Sequence, residues 1–557
     1  MAKSNNILLL FFYGFIAMLL MAPLASDDYL PQGDYIAHTA GIIEAKNAIR
    51  HNQFPIRIAP HYGNSAFYPY FQFYSPLPYT VAGYIHKLVI SNPFVVLKLV
   101  MWFALMLGGF YLFRLCHWLT DSKVASLLAG VVYLLSPYLI INATIRGDFT
   151  EATAQGLLPV ALYYSLRLFK TYNLRFFLLS AIMWFAILTT HLITFAYGSL
   201  FFLLFLTIYI CQDRKQLKNL LLVILSIGLG CMLALWYLAP ILLYAHYVYQ
   251  YGSTTGSPAQ TNWLTPLSIL LSLKSISPVP MPGKGQLIQP LHFSIGMPIV
   301  LSFGTILYAL ISDKNILHKK MIMTLTITFI IALFAIWSPF DFWIYLPKFF
   351  GVVQFSYRIL SQLMWIGSIL FAFMLVWLFK DKLDFRVGFI LLAFIMIACS
   401  SWMYNSVAGS NDSIDRANGF YKDDPVSNNN YRIEPWRFSD KIIETVKAPI
   451  QNCIRGEGES KVCEVVIKKT NSTIALPILY FPQMLKIAVN GKPVNYFPLL
   501  YNATLMAGLH LESGKYQITA KFTGLVWANW LCILTWLIMF TCFFWMYLKN
   551  RRNLAKE

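Results

Sequence analysis

Charge is what this chain has least of: only 12% of its 557 residues are Asp, Glu, Lys or Arg, against roughly a quarter in an ordinary soluble protein. A water-soluble globule of this size is thereby excluded. Cysteine is sparse, at eight, and no short repeat appears, which excludes a disulfide scaffold and a collagen-like chain. With 58% hydrophobic residues the chain is not a disordered one either. The sequence has no Walker motif, no dinucleotide fingerprint, no HExxH and no GxSxG, so ATP hydrolysis, redox cofactors and common hydrolase chemistry have no support.

What is abundant is apolar length. Hydrophobic runs of about 18 to 24 residues, enough for a helix to cross the hydrocarbon layer, start near residues 6, 93, 123, 154, 175, 193, 219, 294, 320, 360, 386 and 525. This predicts an all-α polytopic membrane protein with about twelve spans. The net charge of +19 would suggest nucleic acid if it were clustered on a soluble domain. Instead, most of the excess lies in the segments 1–5, 114–123, 167–175, 212–218, 313–320, 380–386 and 549–557, which alternate to one side of the membrane. The charge is a topology signal, and by the positive-inside rule both termini are cytoplasmic. The first apolar run, NILLLFFYGFIAMLLMAPLA, is long for a signal peptide and reads as an anchor.

Three large pieces then face outward: 26–92, 243–293 and 405–523. The first combines a helical stretch, IAHTAGIIEAKNAIR, with the aromatic run NSAFYPYFQFYSPLPY, a composition suited to the membrane interface. From about 461 short strands appear, with Asn490-Gly491 marking a tight hairpin and Gly514 a second turn. The predicted organisation is a transmembrane module over 1–404, an external domain over 405–523 that is β-rich from about 461, and a last span with a basic tail over 524–557. Cys453 and Cys463 are spaced for a bridge within the external domain, and the other six cysteines lack metal-ligand spacing. The sequons at Asn142, Asn411, Asn471 and Asn502 are read as chance occurrences in outer loops.

Against this apolar background a few charges stand out. Asp27, Asp28 and Asp34 fall within eight residues after the first span, and Asp34 and His38 share a face if a helix begins near Gly33. Asp34 is then either a general base beside a membrane-facing cleft or the N-cap of that helix. The loop ATIRGDFTEAT brings Arg146, Asp148 and Glu151 together. Arg146 suits a phosphate, and Asp148 with Glu151 suits a sugar hydroxyl or a divalent ion. The alternative is a solvated ion-pair loop. Arg57, His191, Lys348 and Arg358 complete the set. His191, in a tight outward turn, serves either as a structural hydrogen-bonder or in the chemistry; Arg358 calls for an anionic partner or snorkels to a headgroup.

The pieces GDYIAH, FPIRIAP, YPYFQFYSPLPY, RGDFTEA, the pair Thr190-His191, QFSYR and ILYFPQMLKIAVNGKPV stand in order along nearly the whole chain. In them the sequence resembles the GT-C superfamily of membrane glycosyltransferases, and more closely the bacterial membrane proteins catalogued as pyruvoyl-tetrahydropterin-synthase-related. The resemblance implies a sugar donor carried on a polyprenyl phosphate, a glycan, lipid or protein acceptor, and an active site facing the periplasm of a bacterial inner membrane. It places the first-loop acid on Asp34, with Asp27 and Asp28 as rivals, and the second-loop group on Arg146 and Glu151. Asp28, Arg57, Asp148, His191, Lys348 and Arg358 are the substrate-binding candidates beside the catalytic pair Asp34 and His38. No motif demands a cofactor, and a divalent metal would be held by Asp34, Asp148 and Glu151 only if the fold brings them together. The competing readings are a transporter or flippase of lipid-linked sugars and a non-catalytic envelope assembly protein. A transporter would place ionisable residues near mid-span and show repeated halves, and neither is evident here.

Overall fold

The computed structural model describes residues 2–24, 30–31, 34–62, 66–212, 216–244, 265–273, 293–313, 316–340, 342–346, 355–404, 409–410, 449–450, 452–501 and 504–554. Asp27, Asp28, Lys348, Asn411 and Asn502 lie outside them, as does most of 243–293. A helix occupies each of the twelve places where hydropathy puts a span, but the count of twelve crossings is not confirmed. Among the described residues, five helices are long and apolar enough to cross a membrane: Pro93–Thr120, Leu192–Cys211, Lys319–Trp337, Ser356–Phe379 and Val526–Lys549. The number rises to seven if the pairs Lys123–Leu134 with Pro137–Ile145, bent by 45°, and Leu217–Leu233 with Leu235–Tyr244, bent by 86°, each count as one. Asn6–Leu20, Leu174–Thr190, Met297–Ser312 and Phe385–Ser400 are apolar but shorter.

The chain divides into two compact units that do not follow the expected boundary at 404. The first comprises 1–35, 98–230 and 252–412. Its helices meet through small residues, which let backbones approach closely where no hydrophobic difference separates helix from lipid. A Cβ on Gly156 would lie 2.5 Å from the carbonyl of Ala104, and one on Gly108 would lie 2.8 Å from the Gly156 carbonyl oxygen. That crossing seats helix Phe149–Thr171 against Pro93–Thr120. A serine cluster in the interior is paired: Ser180 joins Ser165 and Ser226 at 2.8 and 3.0 Å, and the buried Trp184 indole donates to Ser165.

The second unit comprises 36–97, 231–251 and 413–557, so most of the first loop belongs with the C-terminal part of the chain. Counting the two-residue pair β1 (Leu30–Pro31) and β2 (Gly409–Ser410) of the first unit, its strands are β3 (Cys453–Arg455), β4 (Ser460–Ile467), β5 (Ser472–Leu479), β6 (Leu485–Val489), β7 (Lys492–Val494), β8 (Phe497–Tyr501), β9 (Thr504–Leu511) and β10 (Gly514–Phe522). They form antiparallel sheets in the orders β3-β4-β10-β6-β7 and β5-β9-β8. The expected turns are present: Asn490 and Gly491, at φ 49° and 80°, link β6 to β7, as a two-residue hairpin with both central residues left-handed requires. Gly514, at φ 158°, opens β10. Cys453 and Cys463 face each other across β3 and β4 and form the disulfide.

Because the atoms facing Gly156 are backbone, Gly156→Ala is expected to cost about 1–3 kcal/mol by overpacking. Gly304→Ala, with nothing within 4 Å, is expected to be neutral or to gain up to about 1 kcal/mol in helix propensity. Thermal unfolding of the two variants in detergent checks the contrast.

Candidate functional site

The polar centre of the first unit starts from a break in a helix. Beyond Lys123–Leu134, Ser136 and Pro137 start a new direction, and Ile141–Ile145 form a π-helical turn, a local irregularity frequent at functional sites. Arg146 and the left-handed Gly147 (φ 63°) follow. Asp148 then caps helix Phe149–Thr171, its Oδ1 accepting from the Glu151 backbone N–H at 3.0 Å and from the Thr150 hydroxyl at 3.2 Å. The loop is no solvated ion pair: Asp148 and Glu151 are 3% and 1% exposed.

Glu151 is the hub. Its Oε1 accepts from the Tyr138 hydroxyl at 2.5 Å and from the amides of Asn142 and Gln155 at 3.2 Å. Its Oε2 faces Arg146 Nη1 at 3.2 Å and Arg358 Nε at 3.4 Å. Arg146 also donates to Asp148 Oδ2 at 3.1 Å and to Asn142 Oδ1 at 2.6 Å, and it lies over the Tyr357 ring. Arg358 arrives on the turn Ser356–Ile359 that leads into helix Leu360–Phe379, with its guanidinium over Phe355. Two guanidiniums and two carboxylates thus balance in a water-poor interior, where an uncompensated charge would cost several kcal/mol.

His191 lies at the junction of Leu174–Thr190 and Leu192–Cys211 and is buried. Its Nδ1 accepts from the Thr194 N–H at 3.3 Å, which caps the second helix and leaves the ring proton on Nε2. Asp148, Glu151 and His191 place one ligand atom each within 4.8 Å of one another. The oxygens suit a hard cation, but both carboxylates are engaged by guanidiniums and the imidazole, in this tautomer, presents an N–H. The residues as arranged do not fit a metal, and Asp34 is not a member of that group.

Asp34 is exposed and immediately precedes helix Tyr35–Arg50. Its backbone N–H donates to the Arg146 carbonyl at 2.7 Å. Tyr35 locks the same place: its hydroxyl donates to the Ala143 carbonyl at 2.8 Å, and its ring fills the space beside Gly147 so closely that a Cβ there would collide. The first-loop acid is therefore tied to the second-loop cluster within one unit.

Two other nominated residues belong to the second unit. His38 is buried and its Nδ1 pairs with the Tyr79 hydroxyl at 2.6 Å, beside Tyr74. Arg57 is buried as well, and its guanidinium is engaged by Gln72 at 3.1 Å, Asn529 at 2.9 Å, Glu459 at 3.9 Å and the face of Trp236. It acts there as a strut. Burial pushes the Glu459 carboxyl up to about 7, with Arg57 opposing the shift. Sequence reasoning missed Tyr138, Gln155 and Tyr357 and read Asn142 only as a sequon; Asn142 is fully buried at the hub. The spacing of Glu151 and Gln155, four apart on one face of a largely apolar helix, was the available signal.

The chain belongs to the family described as 6-pyruvoyl-tetrahydropterin synthase related domain, a family of membrane proteins, whose sequence model matches residues 71–406. No curated protein matches it. Among solved structures it is similar to the arabinofuranosyltransferase AftD from Mycobacteria, at 12% identity and a TM-score of 0.46 over 73% of this chain and 28% of that one. It is also similar to the oligosaccharyltransferase of Archaeoglobus fulgidus. The apo form gives 14% identity and a TM-score of 0.47 over 79% of this chain and 62% of that one. The form tethered to an acceptor peptide with the NVT sequon gives 16% and 0.45 over 80% and 61%. The chain spans under a third of the first and about three fifths of the other two.

Glu151→Gln is expected to cost about 3–5 kcal/mol, since it leaves buried guanidiniums short of a counter-charge, whereas Asp34→Asn, at an exposed position, should stay within about 0.5 kcal/mol of wild type. Unfolding midpoints compare them. Glu459 holds its proton in the folded state between pH 4.5 and 7, where the unfolded chain has lost it, so its contribution to stability is full below about 4.5 and lost as pH rises through 7. Glu459→Gln should flatten the thermal-unfolding profile across that window.

Proposed function

We propose that this protein is a membrane glycosyltransferase of the GT-C type that moves a sugar from a polyprenyl-phosphate donor to an acceptor at the external, periplasmic face of a bacterial inner membrane, both termini being cytoplasmic. The observation that carries the reading is the pair of buried arginines, Arg146 and Arg358, gathered on Glu151 beside the backbone anchor of Asp34.

Asp34 takes the proton of an acceptor hydroxyl as that oxygen bonds to the anomeric carbon. The bond from the anomeric carbon to the phosphate oxygen breaks on the opposite face, and its electron pair leaves with the lipid phosphate, so configuration inverts. Arg146 and Arg358 meet the leaving charge; preorganised by Glu151 and Asp148, they need no rearrangement at the moment of reaction. Asp148 and His191 cap the helices that hold this arrangement, and no step passes through a metal.

The test is transfer by purified protein in nanodiscs supplied with a polyprenyl-phosphate-linked sugar. Asp34→Asn is expected to lower kcat by about 10²–10⁴-fold. Arg358→Lys, which keeps the charge but loses the fork, is expected to lower it by roughly 10²-fold. Full transfer by folded Asp34→Asn would sink the assignment.

A further inference from the structure

The strands of the second unit carry a groove that this chemistry does not use. Its volume is about 900 Å³, within the range of small-molecule sites. It runs along the face of the five-stranded sheet that bears Lys486, Ala488, Thr519 and Lys521, side chains that alternate with the buried Leu485, Ile487, Ile518 and Ala520. The register explains the hollow. Ser460 and Lys486 flank Lys521 on the two neighbouring strands, and Thr519 stands opposite Ala488, so small side chains form a floor beside the lysine pair.

Lys486 and Lys521 are both exposed and directly opposite each other on β6 and β10. Like charges so placed oppose strand pairing, and an anion between them reverses the sign of that interaction. Among the described residues lining the groove there is no carboxylate. Glu459, the acid next to Ser460 in the chain, is mostly buried and turned to Arg57, with Lys521 the lesser of its two cationic neighbours.

The wall is aromatic and fixed in advance. Tyr480 and Tyr496 meet edge to face at 5.7 Å. The Tyr496 hydroxyl donates to the Phe481 carbonyl at 2.7 Å and accepts from the Leu485 N–H at 3.3 Å, so its ring is set before any ligand arrives. Gln483 and Asn495 stand exposed at the lip. Aromatic faces for pyranose C–H groups, amides for hydroxyls and a lysine pair for a carboxylate or phosphate are together the chemistry of an acidic saccharide.

We propose that this groove binds an anionic glycan, so that the acceptor, in the transferase reading on which this rests, is an acidic saccharide chain. The experiment is calorimetric titration of the full-length protein, in nanodiscs of zwitterionic lipid, with trigalacturonate and with neutral maltotriose. Trigalacturonate is expected to bind at least tenfold more tightly than maltotriose and to weaken as salt rises. Lys486→Gln and Lys521→Gln should each weaken it about tenfold, and Tyr480→Ala should weaken both sugars. Unfolding midpoints near wild type confirm that the exposed substitutions leave the fold intact.

Absence of trigalacturonate binding, or equal binding by the lysine variants, overturns the proposal. So does loss of the sugar signal in nanodiscs containing phosphatidylglycerol through those same lysines, which would assign the groove to a lipid headgroup. The titration reads no turnover, so the two readings fail separately. Transfer without glycan binding rejects the groove, and glycan binding without transfer rejects the transferase.

Discussion

The arrangement of the first unit follows from one requirement, that the carboxylate of Glu151 be compensated where water does not reach. An ion taken out of water costs several kcal/mol after relaxation, and the cost is met only when geometry and hydrogen bonding are nearly complete. Glu151 achieves this with three neutral donors on one oxygen and two guanidiniums at the other. Each donor fixes an element. Tyr138 and Asn142 require the break at Pro137 and the π-helical turn, Arg358 requires the turn ahead of Leu360–Phe379, and Gln155 requires that helix Phe149–Thr171 present that face inward. The close contact of Gly156 with the Ala104 backbone lies one residue beyond Gln155 on the same helix.

The parts of the fold set by local chemistry were legible in the sequence. Apolar length located the helices, Asn490-Gly491 located a hairpin, and the spacing of Cys453 and Cys463 permitted the bridge that the structure contains. Arg146, Asp148 and Glu151 were found because three charges in six residues stand out in an apolar chain. Long-range partners were not legible, since nothing near Glu151 in sequence announces Arg358, more than two hundred residues away. Nor does hydropathy distinguish a polar loop in solvent from a polar loop folded inward, and for that reason the loop's burial and the role of Asn142 had to come from tertiary structure.

Arg57 and Arg146 show the same limit from another side. Both are arginines in outer loops of an otherwise apolar chain, and sequence alone puts them in one class of phosphate candidates. Their surroundings separate them. Arg57 spreads its donors over neutral amides, a distant carboxylate and an indole face, and burial lowers its pKa despite Glu459. That is the pattern of a residue joining segments of one unit. Arg146 instead shares Glu151 with a second guanidinium, so two planar forks of the kind that grip a phosphate stand side by side, their charge balanced by Asp148 and Glu151.

The same accounting bears on which acid can accept a proton. A carboxylate offers about four lone-pair sites, and Glu151, with four hydrogen-bond donors and the Arg358 guanidinium beside them, has none to spare. Asp148 is committed on both oxygens, to the Glu151 N–H and Thr150 on one and to Arg146 on the other. A base built from either would have to surrender a compensating partner before each turnover. Asp34 is exposed, so the proton it gains can pass to solvent, and its backbone is held at 2.7 Å from the Arg146 carbonyl. Under the proposed chemistry the division of labour follows from burial: the buried acids position the arginines, and the exposed acid on the anchored segment handles the proton.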